Sequence, residues 1–112
     1  MNDTSEERDA AIYASKGGAE TNALQVTLCQ GYGRAYHLTI QHCYEDREQE
    51  RTALQRLLEA AHLHTFVVVL VTTPDRLATD EDERKQVLAE LQGLGIEVVF
   101  VLAGEHQEGS FL

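Results

Sequence analysis

The sequence predicts a three-layer α/β fold, in which helices cover both faces of a mostly parallel central sheet of four to five strands. The first observation is that strand patterns alternate with helical patterns in the order β-α-β-α-β-α-β. The second is that the strongest strand patterns are continuous apolar runs, which is typical of strands buried on both faces. The third is the length of 112 residues, which is enough for one domain with one core.

The first half of the chain predicts two strands and the helix between them. Residues 10–14 are a short apolar run and predict the first strand. Residues 22–36 predict a helix, because apolar side chains recur there at steps of three and four residues. The side chains of this stripe are Leu24, Leu28, Tyr32 and Ala35. Residues 38–44 alternate apolar and polar side chains, which predicts a strand with one less buried face.

The next segments predict a helix and a central strand. After a charged loop at 45–50, a helix is expected to run to about His62. Its apolar face consists of Leu54, Leu57, Leu58 and Ala61. Residues 65–72 are β-branched and apolar almost throughout, and they predict a strand that is covered on both faces. Pro74 is expected to end this strand.

A third helix is predicted to begin after Asp80 and to end near Gly93. Asp80 and Glu83 have the spacing of a capping box, in which each side chain binds a backbone N–H of the other residue. The buried stripe of this helix consists of Val87, Leu88, Leu91 and Leu94. Residues 96–102 predict the last strand, and the tail beyond them shows no clear period.

Composition and charge restrict the classes of function. The chain has 9 basic and 19 acidic residues and a formal net charge of −10, which works against tight non-specific binding to nucleic acid. Its longest apolar run, at 66–71, is too short to span a membrane. The polar and acidic N-terminus differs from a secretory signal. We therefore expect a cytoplasmic protein with no membrane partner, in which residues 1–9 form a flexible acidic tail.

Neither the cysteines nor the histidines predict a metal site. Cys29 and Cys43 match no zinc-binding spacing and form no Cys-x-x-Cys motif. Two free and largely buried thiols are the favoured interpretation, and a disulfide is the alternative. No third ligand lies at a recognisable spacing from His62 and His64, which do not share a helix face. We expect no metal and no cofactor.

In a parallel α/β sheet, ligands and reacting groups collect beyond the carboxyl ends of the strands, so three loops could carry a site. These loops are 15–21, 44–51 and 73–80. Their polar side chains include Ser15, Lys16, Asp46, Arg47, Arg51, Asp75 and Arg76. Converging arginines would form a phosphate site, because each guanidinium offers several donors in a fixed geometry. The alternative is that the arginines pair with nearby carboxylates. It is favoured for Arg47, and for the other two arginines both interpretations stay open.

The pair Gly17-Gly18 precedes the first helix, where backbone N–H groups can hold an anion. No dinucleotide-binding or Walker motif accompanies this pair. A plain flexible turn is therefore the favoured interpretation.

The order of these segments resembles the catalytic domain of the serine recombinases, the resolvase/invertase family. The matching segments read AIYAS, LQVTLCQGYGRAYHLTIQHCYED, RTALQRLLEAA, FVVVLVTTPDRLATD and LQGLGIEVVFV. The most specific features are Asp75-Arg76-Leu77 after an apolar strand and Arg51-x-x-Leu54 at the preceding helix. The resemblance implies a resolvase-like catalytic-type domain at 10–104. It also implies that residues 105–112 lead toward the family's dimerisation helix, which is missing here.

The resemblance further implies the chemistry of DNA strand exchange. In that family a serine after the first strand attacks a phosphodiester, and arginines stabilise the transition state. The retained family positions are Gln25, Arg51, Asp75 and Arg76. The family motif Tyr-x-Arg-x-Ser reads here Tyr13-x-Ser15-x-Gly17, and a further arginine position falls on Thr79. The nucleophile and two of the family's four active-site arginines are therefore absent.

Ser15 is the alternative nucleophile in this motif. Two residues of strand rise would place it about 6–7 Å from the expected position, and misplacement by even ~1 Å lowers rates steeply. The favoured hypothesis is a recombinase-like domain that has lost catalysis and associates with itself or with an active relative, with DNA as a partner that the net charge disfavours. Two alternatives stay open, namely an active recombinase with an atypical site and a module that binds small anions or nucleotides.

Overall fold

The computed structural model describes residues 8–15, 21–47, 50–102 and 105–106, the last pair for the backbone alone. Five strands and four helices lie in these ranges. In chain order they are β1 (Arg8–Ser15), α1 (Asn22–Ala35), β2 (Leu38–Asp46), α2 (Thr52–His62), β3 (Val68–Val71), α3 (Pro74–Leu77), α4 (Glu81–Gly93), β4 (Glu97–Phe100) and β5 (Glu105–His106).

The strands form one sheet in the order β2-β1-β3-β4-β5. Parallel pairs join β1 to β2, β1 to β3 and β3 to β4, and β5 is antiparallel to β4. The chain moves outward from β1 to β2 and then crosses back to β3 on the other side of β1. A crevice beyond the carboxyl ends of the strands forms where the strand order reverses in this way. The mostly parallel sheet confirms the predicted fold class.

Helices pack on both faces of the sheet, which confirms the three predicted layers. On one face, α2, α3 and α4 share a core with alternate residues of the strands. Its large buried side chains include Tyr13, Leu57, Phe66, Leu77 and Leu91. On the other face, α1 packs on a second core that includes Ile12, Cys29, Val68, Leu70 and Val99. The central strands are apolar without interruption because they contribute to both cores.

The buried faces of α2 and α4 are those that the sequence predicts. In α2, Leu54, Leu57 and Ala61 are buried and Leu58 packs against them. In α4, Val87 and Leu91 are buried, with Leu88 and Leu94 packed at the edge. The predicted N-cap of α4 is also confirmed, because the backbone N–H of Glu83 donates to Oδ2 of Asp80 at 2.9 Å.

The buried face of α1 differs from the prediction. Leu24 is 46% exposed and Ala35 is also exposed. Leu28 and Tyr32 are half-buried, and Tyr32 packs at the edge of the second core, so the predicted stripe lies beside the buried face rather than at its centre. The buried positions, four residues apart, are Gln25, Cys29 and Gly33. A Cβ at Gly33 would lie 3.1 Å from Cδ1 of Ile40, so the helix approaches β2 closely there. The prediction was wrong for Leu24 and Ala35, because the face closest to the sheet carries the small Gly33 and, at Gln25, a side chain that binds the backbone of Ser15.

The ends of several strands also differ from the prediction. β1 begins at Arg8, inside the predicted tail 1–9, whose first seven residues lie outside the described ranges. β3 and β4 are shorter than predicted, since only four residues of each have ladder geometry. β5 occupies part of the predicted tail 105–112, because its backbone pairs with β4. Residues 107–112 lie outside the described ranges.

Both cysteines are free thiols, as predicted, but they differ in burial. Cys29 is buried on the face of α1 that packs on the sheet, whereas Cys43 is exposed. The prediction of a buried Cys43 was wrong because β2 is an edge strand, and most of its side chains face solvent.

In the part of the chain that the structure describes, no helix is long and apolar enough to cross a membrane. Among those same residues, no group of three or more His, Cys, Asp or Glu side chains is arranged to hold a metal ion.

Candidate active site

The candidate site lies beyond the carboxyl ends of β1, β2 and β3. β1 ends at Ser15, which pairs with Asp46 at the end of β2. The helix α3 begins two residues after Thr72, the residue that follows β3. Residues 16–20, which include Gly17, lie outside the described ranges, as do residues 48 and 49.

The hydroxyl and the backbone of Ser15 are all engaged in hydrogen bonds. Its Oγ donates to the backbone carbonyl oxygen of Arg76 at 2.6 Å. Its backbone N–H donates to Oε1 of Gln25 at 3.2 Å, and Nε2 of Gln25 donates to the carbonyl oxygen of Ser15 at 2.9 Å. Gln25 is fully buried. The two sequence-predicted residues on β1 and α1 are thus brought together, and the short contact of the Ser15 hydroxyl is with a backbone carbonyl.

Tyr13 and Asp46 connect β1 to the start of α2. The phenol of Tyr13 donates to Oδ2 of Asp46 at 2.8 Å, and both side chains are buried. The same carboxylate accepts from the backbone N–H of Ala53 at 2.8 Å and of Leu54 at 3.0 Å. Arg51 is the N-cap residue of α2 and makes no side-chain cap bond. Asp46 therefore supplies, from the neighbouring strand, the acceptor that the first turn of a helix requires.

Burial and Asp46 raise the pKa of Tyr13 well above its ordinary value. Burial is the largest cause, followed by the hydrogen bond to Asp46 and the charge of that carboxylate. The charge of Arg51 and a hydrogen bond with Ser15 act in the opposite direction. The phenol of Tyr13 consequently stays protonated and acts as a donor, so it does not serve as a base for Ser15.

The guanidinium of Arg51 pairs with a carboxylate of α4. Its Nη2 donates to Oε1 of Glu83 at 2.9 Å, and the two side chains are 39% and 36% exposed. The sequence leaves two interpretations open for Arg51, a phosphate site and a pair with a carboxylate, and this geometry agrees with the pair. It also changes the predicted capping box, since the Glu83 side chain reaches toward α2.

Asp75 and Arg76, which the resemblance predicts as retained site residues, lie on α3. The hydroxyl of Thr73 donates to Oδ1 of Asp75 at 2.6 Å. This bond lowers the pKa of Asp75, partial burial opposes it, and the charges of Arg76 and Arg84 lower it further. Asp75 is exposed and Arg76 is half-buried, and Arg76 contributes its backbone carbonyl to Ser15. Thr79, at which the resemblance predicts a lost arginine, is exposed just beyond α3.

The roles of three residues in this region were not identified from the sequence. Asp46 is predicted only as a polar side chain of the loop 44–51 and not as a cap of α2, and Glu83 is predicted as a capping residue and not as the partner of Arg51. Arg84 is the third, since its Nη1 donates to the carbonyl oxygen of Ala78 at 2.8 Å. The one available signal was the position of Asp46 two residues beyond the predicted strand 38–44, since a polar side chain there is expected near the carboxyl end of a parallel strand.

Comparison with known proteins places the chain among recombinase domains. A family model described as "Resolvase, N terminal domain" matches residues 12–110. A search of curated proteins gives no match.

Three solved structures have similar folds. The N-terminal catalytic domain of TP901-1 integrase has a TM-score of 0.83 at 20% identity, over 92% of this chain and 84% of that one. A resolvase family site-specific recombinase from Streptococcus pneumoniae has a TM-score of 0.82 at 16% identity, over 92% and 78%. The C-terminal catalytic domain of ISC1926 TnpA, an IS607-like serine recombinase, has a TM-score of 0.72 at 21% identity, over 83% and 70%. At these identities the similarity is one of fold.

Proposed function

The chain belongs to the resolvase N-terminal domain family, and from this membership we propose that it is a site-specific recombinase catalytic domain that no longer cleaves DNA. In the resembling family, cleavage requires a serine that attacks a phosphodiester and forms a covalent link to the DNA. At the matching position this chain has Gly17, which carries no hydroxyl. A water molecule cannot replace that serine, because strand exchange depends on the covalent intermediate.

The bonding of Ser15 is the observation that carries the proposal. Its hydroxyl donates to the carbonyl of Arg76, and its backbone is bound on both sides by the amide of Gln25. A nucleophilic serine needs an accessible oxygen and a group that accepts its proton. Ser15 has a backbone carbonyl in that place, which is far too weak a base. These contacts support the interpretation that Ser15 does not substitute for the lost nucleophile.

The arginines support the same proposal. The resembling family stabilises the phosphate with several guanidinium groups, and two of the matching positions are here Ser15 and Thr79. Removing one such donor typically lowers a rate by about 10²–10³-fold, so the loss of two would be severe even with a nucleophile present. A retained one, Arg51, is paired with Glu83. This pairing also weighs against a module that binds small anions through Arg51.

We further propose that the domain acts through association, either with a second copy of itself or with an active recombinase. Domains of this family act on DNA and typically form dimers. A net charge of −10 disfavours direct binding to the phosphate backbone, because that binding relies on Lys and Arg. A partner domain would therefore supply the contact with DNA.

The test is an assay for covalent protein–DNA adducts. The unaltered chain and Ser15→Ala are incubated with a pool of randomised suicide duplexes, in which a nick prevents religation, and SDS-stable adducts are counted. The isolated catalytic domain of an active serine recombinase is the positive control on the same pool. We expect adducts from the control alone. An adduct that the unaltered chain forms and Ser15→Ala does not form would overturn the proposal.

A further inference from the structure

The guanidinium of Arg51 forms an ion pair with a carboxylate of the same chain, that of Glu83. Its Nη2 lies 2.9 Å from Oε1 of Glu83, which is hydrogen-bond distance for a charged pair. Both side chains are more than one third exposed, so the pair lies where solutes and partner molecules reach it. The two residues are 32 positions apart and come from different helices. The contact is therefore a product of the tertiary fold.

The fold holds Glu83 in position by more than this one contact. The backbone N–H of Glu83 donates to Oδ2 of Asp80 at 2.9 Å, which fixes the first turn of α4. The positive end of the α4 dipole favours a negative side chain in that turn. Arg51 is fixed in the same way, because it is the N-cap residue of α2, and Asp46 binds the first turn of that helix. A helix N-terminus and an arginine can together hold a phosphate group, and here the carboxylate of Glu83 lies between the two.

We propose that Glu83 is a built-in counter-ion that excludes phosphate groups from Arg51. Its carboxylate uses a donor of the guanidinium and repels an incoming anion. The inference rests on the proposed loss of cleavage, since a cleaving domain needs this arginine for the scissile phosphate. The inference concerns phosphate binding rather than cleavage, and it assigns to Glu83 the low affinity of this site for anions. The shared chemistry of the excluded ligands is the phosphate group, whether free or in a DNA backbone.

The same helix turn offers a matched control. Glu81 also lies in the first turn of α4, and its carboxylate is 3.7 Å from Nζ of Lys85. Glu81→Gln and Glu83→Gln therefore remove the same charge from the same turn, and both leave an amide of nearly the same shape. The two variants differ in whether the lost carboxylate is the partner of Arg51.

The experiment measures binding of two probes, inorganic phosphate and a short DNA duplex, to the full chain at low salt. Phosphate binding is followed by NMR shifts of the arginine side chains, and DNA binding is followed by fluorescence anisotropy. We expect Glu83→Gln to bind phosphate at least about fivefold more tightly than the unaltered chain, because a repelling charge is removed and a donor is released. We expect Glu81→Gln to differ from the unaltered chain by less than about twofold, since only distant, screened charge changes. The gain is expected to disappear in Glu83→Gln/Arg51→Gln.

Each outcome of this comparison has a defined meaning. Tighter binding of phosphate alone supports exclusion of small anions, and tighter binding of both probes extends the exclusion to DNA phosphates. Equal effects of Glu83→Gln and Glu81→Gln, or a gain that persists without Arg51, would overturn the inference. Because Glu83 is half-exposed, we expect the variant to fold, and Glu83→Ala is a second variant that leads to the same test. A covalent adduct from the unaltered chain would overturn the proposed function without changing these affinities.

Discussion

At the scale of single residues, the carboxylate of Asp46 joins three parts of the fold. It accepts one hydrogen bond from the phenol of Tyr13 on β1 and two from the backbone of α2, while itself lying at the end of β2. It is 1% exposed, so these three donors have little access to water as an alternative partner. A buried carboxylate is stable only when it is satisfied in this way.

Asp46→Ala is expected to lower the free energy of unfolding by about 2–4 kcal/mol, because it leaves buried donors on Tyr13, Ala53 and Leu54 without an acceptor. Tyr13→Phe is expected to cost only about 1 kcal/mol, since the carboxylate keeps both backbone donors. Urea unfolding measures both effects. Asp82→Ala, in the exposed first turn of α4, is the control and should cost less than about 1 kcal/mol. A similar loss for Asp46→Ala and Asp82→Ala would contradict the capping role.

Because of the buried Cys29 thiol, we expect the free energy of unfolding to fall at alkaline pH. Burial, and to a smaller extent the neighbouring Cys43, raise the pKa of the Cys29 thiol to about 12. An unfolded thiol ionises near its ordinary pKa of about 8.5, so the unfolded state releases a proton that the folded state retains. This contribution to stability is therefore complete below about pH 8.5 and is lost as the pH rises toward 12.

The measurement is urea unfolding at about pH 7.5 and about pH 10.5, on either side of the ordinary thiol pKa. Cys29→Ala removes the titrating group, so it should lose less stability between the two values than the unaltered chain loses. Tyrosines also titrate in this pH range, but they do so in both proteins, so their effect on stability cancels in the comparison. Identical losses in the two proteins would show that the Cys29 thiol ionises as freely in the folded state as in the unfolded one.

At the scale of elements, α2 and α4 end in the same backbone motif but with different residues. After α4, Gly95 has φ 80°, and the N–H of Ile96 donates to the carbonyl of Leu91 at 3.0 Å. After α2, His64 has φ 58°, and the N–H of Thr65 donates to the carbonyl of Ala60 at 3.4 Å. This motif places one residue in the left-handed region, where glycine is favoured. Only α4 has the favoured residue.

His64→Gly is therefore expected to raise the free energy of unfolding by about 0.5–1 kcal/mol, because it removes the strain of a side chain at positive φ. His64→Ala is the matched control, since it removes the imidazole but keeps a Cβ, and it should give no gain. Thermal melting of the three proteins measures the difference. A gain for alanine equal to that for glycine would assign the effect to the imidazole rather than to the backbone.

The helices also show which local structure the sequence could predict. The buried faces of α2 and α4 followed from periodicity because apolar side chains alone cover them. The buried face of α1 did not follow from apolar periodicity. Gln25 is buried there and binds the backbone of Ser15, and Gly33 is buried there and allows close contact with Ile40. A stripe defined by apolar residues cannot identify positions that are selected for hydrogen bonding or for small size.

At the scale of the whole molecule, the strand order decides which residues meet. The sequence predicts a site at the carboxyl ends of the strands, and the structure brings Ser15 and Asp46 together at that edge of the sheet. The pairing of Arg51 with Glu83 could not be predicted, because it depends on how α2 and α4 lie side by side on one face of the sheet. The sequence does not show which of two charged residues, far apart along the chain, the fold will bring together as an ion pair.

The last prediction concerns the recovery of cleavage, for which the proposed function requires changes at three positions, Ser15, Gly17 and Thr79. Gly17→Ser alone is expected to form covalent adducts at least about 10⁴-fold more slowly than Ser15→Arg/Gly17→Ser/Thr79→Arg, because each missing guanidinium costs about 10²–10³-fold. Adding Glu83→Gln to the triple variant should raise the rate further by freeing Arg51. Suicide duplexes and SDS gels give the rates. Gly18→Ser in place of Gly17→Ser, in the same triple background, is the control for a hydroxyl one residue away, since misplacement by ~1 Å already lowers rates steeply. Equal adduct formation by the Gly18 and Gly17 variants, or full activity of Gly17→Ser alone, would mean that the matched positions are not the family's active site.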